Sequence, residues 1–361
     1  MNHLEAVGWT ARVEASFVDA IAAGLTPARV LAQRREMYGV RTAAGDGSAT
    51  ISGRSRFGAR RPGDFPVVGD WVALGGSSGP VATIHTVLPR TTALTRLAAG
   101  RRPDAQIVAA NIDVVFIAMA LDGDFNLRRL ERYLAVAWAS GAQPIVVLTK
   151  ADRCDDVDGR TLAVAAIAPG AGIRVVAALA GLGLTDVLAD LGGGRTGAIL
   201  GSSGVGKSTL VNALVGSERM ATGGVRPDDD RGRHTTSHRQ LIEIAGGGSI
   251  IDTPGMREIG MWDGDKGLDP AFADLDDLAA SCRFGDCRHE SEPGCAVSAA
   301  IGDGSLGPDR LLAWRRLERE ASQTVGRRSA AARDADRRSL RSIRAASAEA
   351  IARKTTEERW G

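Results

Sequence analysis

Lysine is nearly missing from this chain of 361 residues. It stands only at Lys150, Lys207, Lys266 and Lys354, and arginine supplies the rest of the 45 basic side chains. A lysine at a motif position is therefore seldom there by accident. Cysteine is as scarce, four in all, with three of them crowded between 282 and 295. Sulfurs so few and so unevenly placed exclude the disulfide framework of a small secreted scaffold. No apolar run approaches the roughly 20 residues that cross a bilayer, and the N-terminus lacks a basic start followed by an apolar stretch. These two gaps predict a soluble, cytoplasmic protein with no membrane partner; a monomer is the separate expectation. A large excess of one charge is missing too: the formal net charge is +2, so any basic surface must be local. The length predicts two or three domains.

What is present is densest at 196–215. Thr196-Gly-Ala-Ile-Leu200 reads as a strand. Gly201-Ser202-Ser203-Gly204-Val205-Gly206-Lys207-Ser208 then fits G-x-x-x-x-G-K-[ST] in full, and Thr209 leads into an amphipathic run ending at Val215. Glycines let the backbone curl so that successive N–H groups point at phosphate oxygens, and the following helix directs its positive end there. Lys207 can reach the β/γ-phosphates, and Ser208 can offer its hydroxyl to Mg²⁺. The bland alternative is a Gly-rich loop with a stray lysine; a strand before it and a helix after it weigh against that.

Taken in order, residues 1–37 predict a helical extension, with Val13, Phe17, Ile21 and Leu25 at helical spacing, Pro27 interrupting and Val30-Leu31 resuming. From 38 to 104 short β-like runs between Gly-rich turns predict a small closed barrel; examples are Thr50–Ser52, Pro66–Leu74 and Pro80–Ile84. Arg54, Arg56, Arg60 and Arg61 fall in one loop of it, with Arg90, Arg96, Arg101 and Arg102 later. They suit either nucleic acid or a merely solvated surface. From 105 to 268 strands and helices alternate. The continuous apolar run Ile112–Ala120, then Pro144–Leu148, Arg174–Ala178 and Thr196–Leu200, predict a mostly parallel sheet with ligand at the carboxyl ends of its strands.

Directly after the second buried strand comes Thr149-Lys150-Ala151-Asp152, which resembles the N/T-K-x-D element of GTPases. Its carboxylate can accept from the ring N–H and the exocyclic amine of guanine, a pair of donors that adenine lacks. The lysine stem can lie over the purine face. Beyond the phosphate loop, Gly232-Arg-His234-Thr235-Thr236 precedes two strands, and the second leads into Asp252-Thr-Pro-Gly255. In D-x-x-G the aspartate stands near Mg²⁺ and the glycine amide near the γ-phosphate, and an upstream threonine completes the metal shell. Thr236 is preferred for that role, with Thr235 open. Position 256, where many GTPases carry a water-orienting glutamine, holds Met256. His234 is the nearest candidate to position water; contact with RNA or backbone is the equal alternative.

The order is guanine element, phosphate loop, switch elements, which is a rotation of the ordinary GTPase order. With Val68-Gly-Asp-Trp-Val72, Val87-Leu-Pro-Arg90 and Asn111-Ile-Asp113, the chain resembles the circularly permuted ribosome-small-subunit-dependent GTPases. The resemblance covers about residues 38–300. It implies an α/β circularly permuted P-loop GTPase domain, preceded by a small β-barrel of the OB-fold and followed by a zinc-binding helical domain over 269–361. It also implies GTP hydrolysis to GDP stimulated by the small (30S) ribosomal subunit, rRNA contact, and action late in subunit maturation. Ala177-Ala178 stand where that family usually has a Ser-Ala pair in its base-contacting loop.

Cys282, Cys287, His289 and Cys295 form a Cys₃His set, a common closed tetrahedral arrangement for structural zinc; buried cysteines with an incidental histidine are the alternative. From Arg310 onward the chain is helical and Arg-rich, suited to RNA phosphates or to plain solubility. Two other functions remain in view: an RNA-binding scaffold with structural GTP, and a P-loop ATPase or kinase.

Overall fold

The computed structural model describes residues 3–34, 36–59, 62–76, 80–97, 105–216, 239–252, 270–290 and 292–322. Two short helices, α1 (Ala11–Ser16) and α2 (Val18–Ala22), begin it. Thr10 caps α1 by accepting from the Val13 N–H. Phe17 is fully buried and packs 5.4 Å from Trp9, which in turn meets Trp71 edge-on at 5.4 Å.

The helical reading fails at Pro27. Thr26–Arg34 is strand β1, not a continued helix. Its residues Ala28, Arg29 and Val30 are buried in succession, because one face looks into a barrel and the other onto the adjoining domain. Burial on both faces erases the alternation that marks a strand. Proline cannot extend a helix, and pairing with neighbouring strands decides the rest.

Strand β1 closes a five-stranded barrel with β2 (Met37–Thr42), β3 (Gly45–Ile51), β4 (Trp71–Gly75) and β5 (Val81–Val87), in the order β1-β2-β3-β5-β4 with β4 returning to β1. The interior is apolar: Ala28, Val30, Tyr38, Val40, Ala49, Val72, Leu74 and Ile84. Arg54 and Arg56 lie on a helix, α3 (Gly53–Gly58), rather than in a loop. The hairpin β6 (Ala93–Leu97) and β7 (Ala105–Ala110) is a separate two-stranded sheet outside the barrel.

The central domain alternates β8 (Val114–Ala120), α4 (Leu127–Ala139), β9 (Gln143–Thr149), α5 (Val157–Ile167), β10 (Gly172–Val175), α6 (Leu184–Asp190), β11 (Thr196–Leu200) and α7 (Lys207–Val215). Strands β12 (Gln240–Glu243) and β13 (Ser249–Asp252) complete it. The order β10-β9-β8-β11-β13-β12 is parallel except for β12, and β12 continues into the barrel through Ala32↔Gln240 of β1. The barrel therefore caps the edge strand of this sheet, which would otherwise present unpaired backbone groups. Arg41 of β2 reinforces the junction, bridging Glu243 of β12 and Asp46.

A helix over 308–322 lies on α4, and helices Ala273–Ala279 and Ala296–Gly302 pack against each other beside it. Arg310 is their anchor. Its guanidinium meets Glu131 of α4 at 2.8 Å, both carboxylate oxygens of Asp274 at 2.8 and 3.0 Å, the Ala271 carbonyl at 2.7 Å, and the Phe272 ring. Burial pushes the Glu131 carboxyl up from its ordinary range, and Arg310 pulls it back. Arg310→Met strands two carboxylates, and should cost about 3–5 kcal/mol in thermal unfolding. Adding Glu131→Leu should recover part of that loss.

Candidate nucleotide and metal sites

Parallel strands β9, β8, β11 and β13 end side by side, and the sequence motifs follow the ends of β9, β11 and β13. Thr149 is the last residue of β9 and is buried. Its hydroxyl donates to the Val205 carbonyl in the loop after β11, at 2.5 Å. One hydrogen bond thus joins segments 56 residues apart. A threonine does this with its hydroxyl, where the commoner asparagine would use an amide.

Lys150 follows in a left-handed conformation (φ +58°), which is uncommon outside glycine. Its ammonium pairs with Asp122 at 2.7 Å, and its carbonyl accepts from the Arg153 N–H. That pairing, together with the Asp124 N–H, holds the Asp122 carboxyl below its ordinary range. Ala151 and Asp152 form a short 3-10 turn with Arg153, and the Ala151 N–H reaches the Val176 carbonyl just past the end of β10. Strand β10 stops at Val175, short of the expected Ala178. Ala177 instead bridges back to Leu182, and Ala178 opens a 3-10 turn.

Gly201, Gly204 and Gly206 all take positive φ. At Gly201 (φ +147°) a Cβ would stand 2.5 Å from the Ala118 carbonyl of β8, so only glycine fits between the strands. Lys207, Ser208 and Thr209 form the first turn of α7, whose N-terminus faces the loop. The Lys207 ammonium curls onto the carbonyls of Gly201 and Ser202. Ser203, between Ser202 and Gly204, completes the loop.

Asp252 is the last residue of β13. Burial raises its carboxyl above the ordinary range, and the Lys207 charge opposes that rise. His234, Thr235, Thr236, Gly255 and Met256 lie outside the described residues.

Two acids that sequence reasoning passed over organise this site. Asp124, in the loop after β8, accepts from the Ser202 hydroxyl and pairs with Arg129 of α4 at 2.7 Å. Asp122 of the same loop holds Lys150. The phosphate-loop and Lys150 segments are thus both tied to the loop over 121–126. The available signal was position: both acids directly follow a buried parallel strand, at the end where ligands bind.

Cys282, Cys287, His289 and Cys295 come together with their donor atoms all within 4.8 Å of one another. His289 Nδ1 lies 3.6 Å from the Cys282 sulfur and 3.4 Å from that of Cys295, and the two sulfurs are 3.9 Å apart. Ligands of a tetrahedral ion with metal–sulfur bonds of about 2.3 Å sit roughly 3.7 Å from each other, so the set can hold a metal ion. Cys295 caps helix Ala296–Gly302, accepting from the Ser298 N–H. Burial opposes its ionisation, but bonds from Ser298 and His289 outweigh burial and hold the thiol down to about 6. The His289 ring meets Trp314 edge-on, and Arg315 donates to the carbonyls of Arg288 and His289. Arg315, expected among residues facing RNA, is spent on this loop; Arg316 and Arg319 remain exposed.

A P-loop beside the strand that ends at Asp252, with T-K-x-D placed before both in the chain, defines a circularly permuted GTPase domain. Comparison with known proteins makes this specific. The RsgA GTPase family model matches residues 87–262. Small ribosomal subunit biogenesis GTPase RsgA 2 of Lactiplantibacillus plantarum is 47% identical over 294 residues, spanning 81% of this chain and 83% of that protein. The RsgA of Opitutus terrae is 42% identical over 334 residues, spanning 90% and 91%. The fold is shared with YjeQ from Thermotoga maritima (24% identity, TM-score 0.63, 82% of this chain and 98% of that one). It is shared also with YloQ, described as a circularly permuted GTPase (23% identity, TM-score 0.60, 83% and 96%). The chain belongs to the RsgA family.

Thr149→Val leaves the Val205 carbonyl without its donor and should weaken nucleotide binding by roughly 5- to 30-fold, the equivalent of about 1–2 kcal/mol. Thr149→Ser, which keeps the hydroxyl, should bind like the parent in a titration with fluorescent GDP.

Proposed function

We infer that the chain is a GTP hydrolase that binds the small ribosomal subunit and acts in its late maturation, turning over mainly when docked. The observation that carries the reading is the Thr149–Val205 bond, which sets the T-K-x-D segment beside the phosphate loop. Asp152 then supplies the acceptor pair that favours guanine over adenine. The names borne by its relatives support the subunit as partner, and no described helix is long and apolar enough to cross a membrane.

In this reading backbone amides from Gly201 to Gly206 and the N-terminus of α7 bind the phosphates, with Lys207 turning from its loop carbonyls toward them. Thr149, Lys150, Ala151, Asp152, Ala177 and Ala178 surround the base. Ser208 and Thr236 hold Mg²⁺, with Asp252 nearby and the Gly255 amide at the γ-phosphate. The Ser208 hydroxyl and the Asp252 carboxylate are oxygen donors, the kind that suits a hard cation. The ion supplies charge neutralisation on the phosphates. Met256 cannot orient water, so intrinsic turnover is slow, and His234 is the candidate to position it when the chain is docked on its partner.

Zinc is the proposed ion of the Cys₃His set, in a structural role, because four protein ligands leave no open position. Cys295→Ala should take the zinc content measured by mass spectrometry from one ion per chain to none. The proposed domains are a helical extension with the barrel to about residue 104, the GTPase domain over 105–268, and the zinc-binding and basic helical domain over 269–361.

Hydrolysis of GTP and ATP, with and without purified small subunits and across a salt series, tests the function. Subunits should raise GTP turnover at least tenfold, with ATP unused, and His234→Ala should lose most of that rise. Turnover indifferent to subunits, or equal use of ATP, contradicts the reading; an undiminished rise in His234→Ala removes that residue alone.

A further inference from the structure

An acid beside a phosphate-binding loop is out of place, because its charge has the sign of the ligand. Asp124 is such an acid: its carboxylate accepts from the hydroxyl of Ser202, the second residue of the loop. Two effects meet in it. The hydrogen bond anchors the loop, while the charge opposes what the loop is built to hold.

The surroundings of Asp124 resolve the conflict. Arg129 pairs with the other carboxylate oxygen at 2.7 Å and also donates to the Asp124 carbonyl. Arg129 is itself placed by the start of α4, where the Asn126 side chain accepts from its backbone N–H at 3.0 Å. The loop between has little freedom. The Asp124 N–H donates to the Asp122 carboxylate at 2.9 Å, the Phe125 N–H donates to the Asp122 carbonyl at 3.1 Å, and the Arg160 guanidinium lies 5.1 Å over the Phe125 ring.

On the inner side Met119, Leu130 and Tyr133 close against Arg129 and Ser202 and leave no room for a water molecule. About a third of the Asp124 and Arg129 side chains reaches solvent on the outer side. A pair so placed is screened from one side only, and an uncancelled charge there would be felt at the loop.

We propose that Asp124 is a positioning residue for the phosphate loop, fixing it through Ser202, and that Arg129 cancels the Asp124 charge so that this anchor does not repel the phosphates of the nucleotide. The inference rests on the reading of residues 201–208 as the phosphate site of a GTP hydrolase. A pair that served only to hold α4 to its loop would need no contact with Ser202, and a neutral acceptor would anchor Ser202 without needing an arginine. Loss of Arg129 then penalises a triphosphate more than a diphosphate, because the triphosphate brings the greater negative charge.

The test titrates the full chain calorimetrically with GDP and with a non-hydrolysable GTP analogue, at low and at high salt, with thermal unfolding of each variant alongside. Arg129→Met strips the cancelling charge and keeps a good helix former at the position. Its Kd should rise about threefold for GDP and about tenfold for the analogue, and the gap should narrow at high salt. Arg129→Lys keeps the charge and should hold the parent's ratio of the two constants. Asp124→Asn added to Arg129→Met should restore that ratio, whatever happens to the unfolding temperature. Asp124→Leu added to Arg129→Met is equally neutral but offers Ser202 no acceptor, and should bind both nucleotides about fivefold more weakly than the asparagine double variant.

An Arg129→Met chain that weakens both nucleotides equally overturns the proposal, as does an asparagine double variant that keeps the skewed ratio or a leucine double variant that binds like it. A parent that binds both nucleotides while the variants behave in one of these ways loses only the proposal. A parent that binds neither loses the reading beneath it and the proposal together.

Discussion

The hydrogen bond from the Thr149 hydroxyl to the Val205 carbonyl is the contact on which the nucleotide site depends. Parallel strands deliver their motifs to one end of the sheet, but delivery does not fix the distance between them. The bond does so directly, between the last residue of β9 and the loop after β11. The loop over 121–126 does it a second time, with Asp122 on Lys150 and Asp124 on Ser202. Such a cross-tie works because Thr149 is buried: out of water, each group has the other as its partner, and leaving either alone is costly.

Circular permutation places the ends of this domain where they do structural work. Strand β12, which begins directly after the proposed switch segment, pairs with β1 of the barrel, and Arg41 clamps the pair. On the other side, the chain beyond β13 reaches the Cys₃His loop, and Arg310 fastens that region to α4. Helix α4 also carries Arg129, which holds Asp124 and through it Ser202 of the phosphate loop. Both flanking domains are therefore attached to elements that border the proposed nucleotide.

Much of this was legible in the sequence because it is written in local chemistry. The phosphate loop needs glycines at positive φ and a lysine at the start of a helix, and the chain has both within eight residues. Three cysteines and a histidine within fourteen positions likewise carry their own meaning. What was not legible depends on tertiary partners. Strand β1 hides its alternation because Arg29 is buried on the face opposite Ala28 and Val30. Its guanidinium serves the carbonyls of Val7 and Asn111, and burial lowers its pKa to about 10 against the pull of Asp113 and Asp70. Arg315 read as a phosphate contact because nothing in its neighbours shows that two carbonyls of the Cys₃His loop would claim it. Asp122 and Asp124 looked like loop acids until the strand ends brought them against Lys150 and Ser202.

The central claim, that Asp152 reads guanine in a site assembled across these strand ends, has a direct measurement. A carboxylate accepts from both the ring N–H and the exocyclic amine, whereas an amide offers one acceptor and one donor and so matches the carbonyl that xanthine carries in place of the amine. Calorimetric titration of the parent chain and Asp152→Asn with GDP and xanthosine diphosphate compares the two. The account predicts that the parent prefers GDP by at least tenfold and that Asp152→Asn reverses the preference while keeping its fold. A variant that still prefers GDP, or a parent that binds both diphosphates equally, would contradict it.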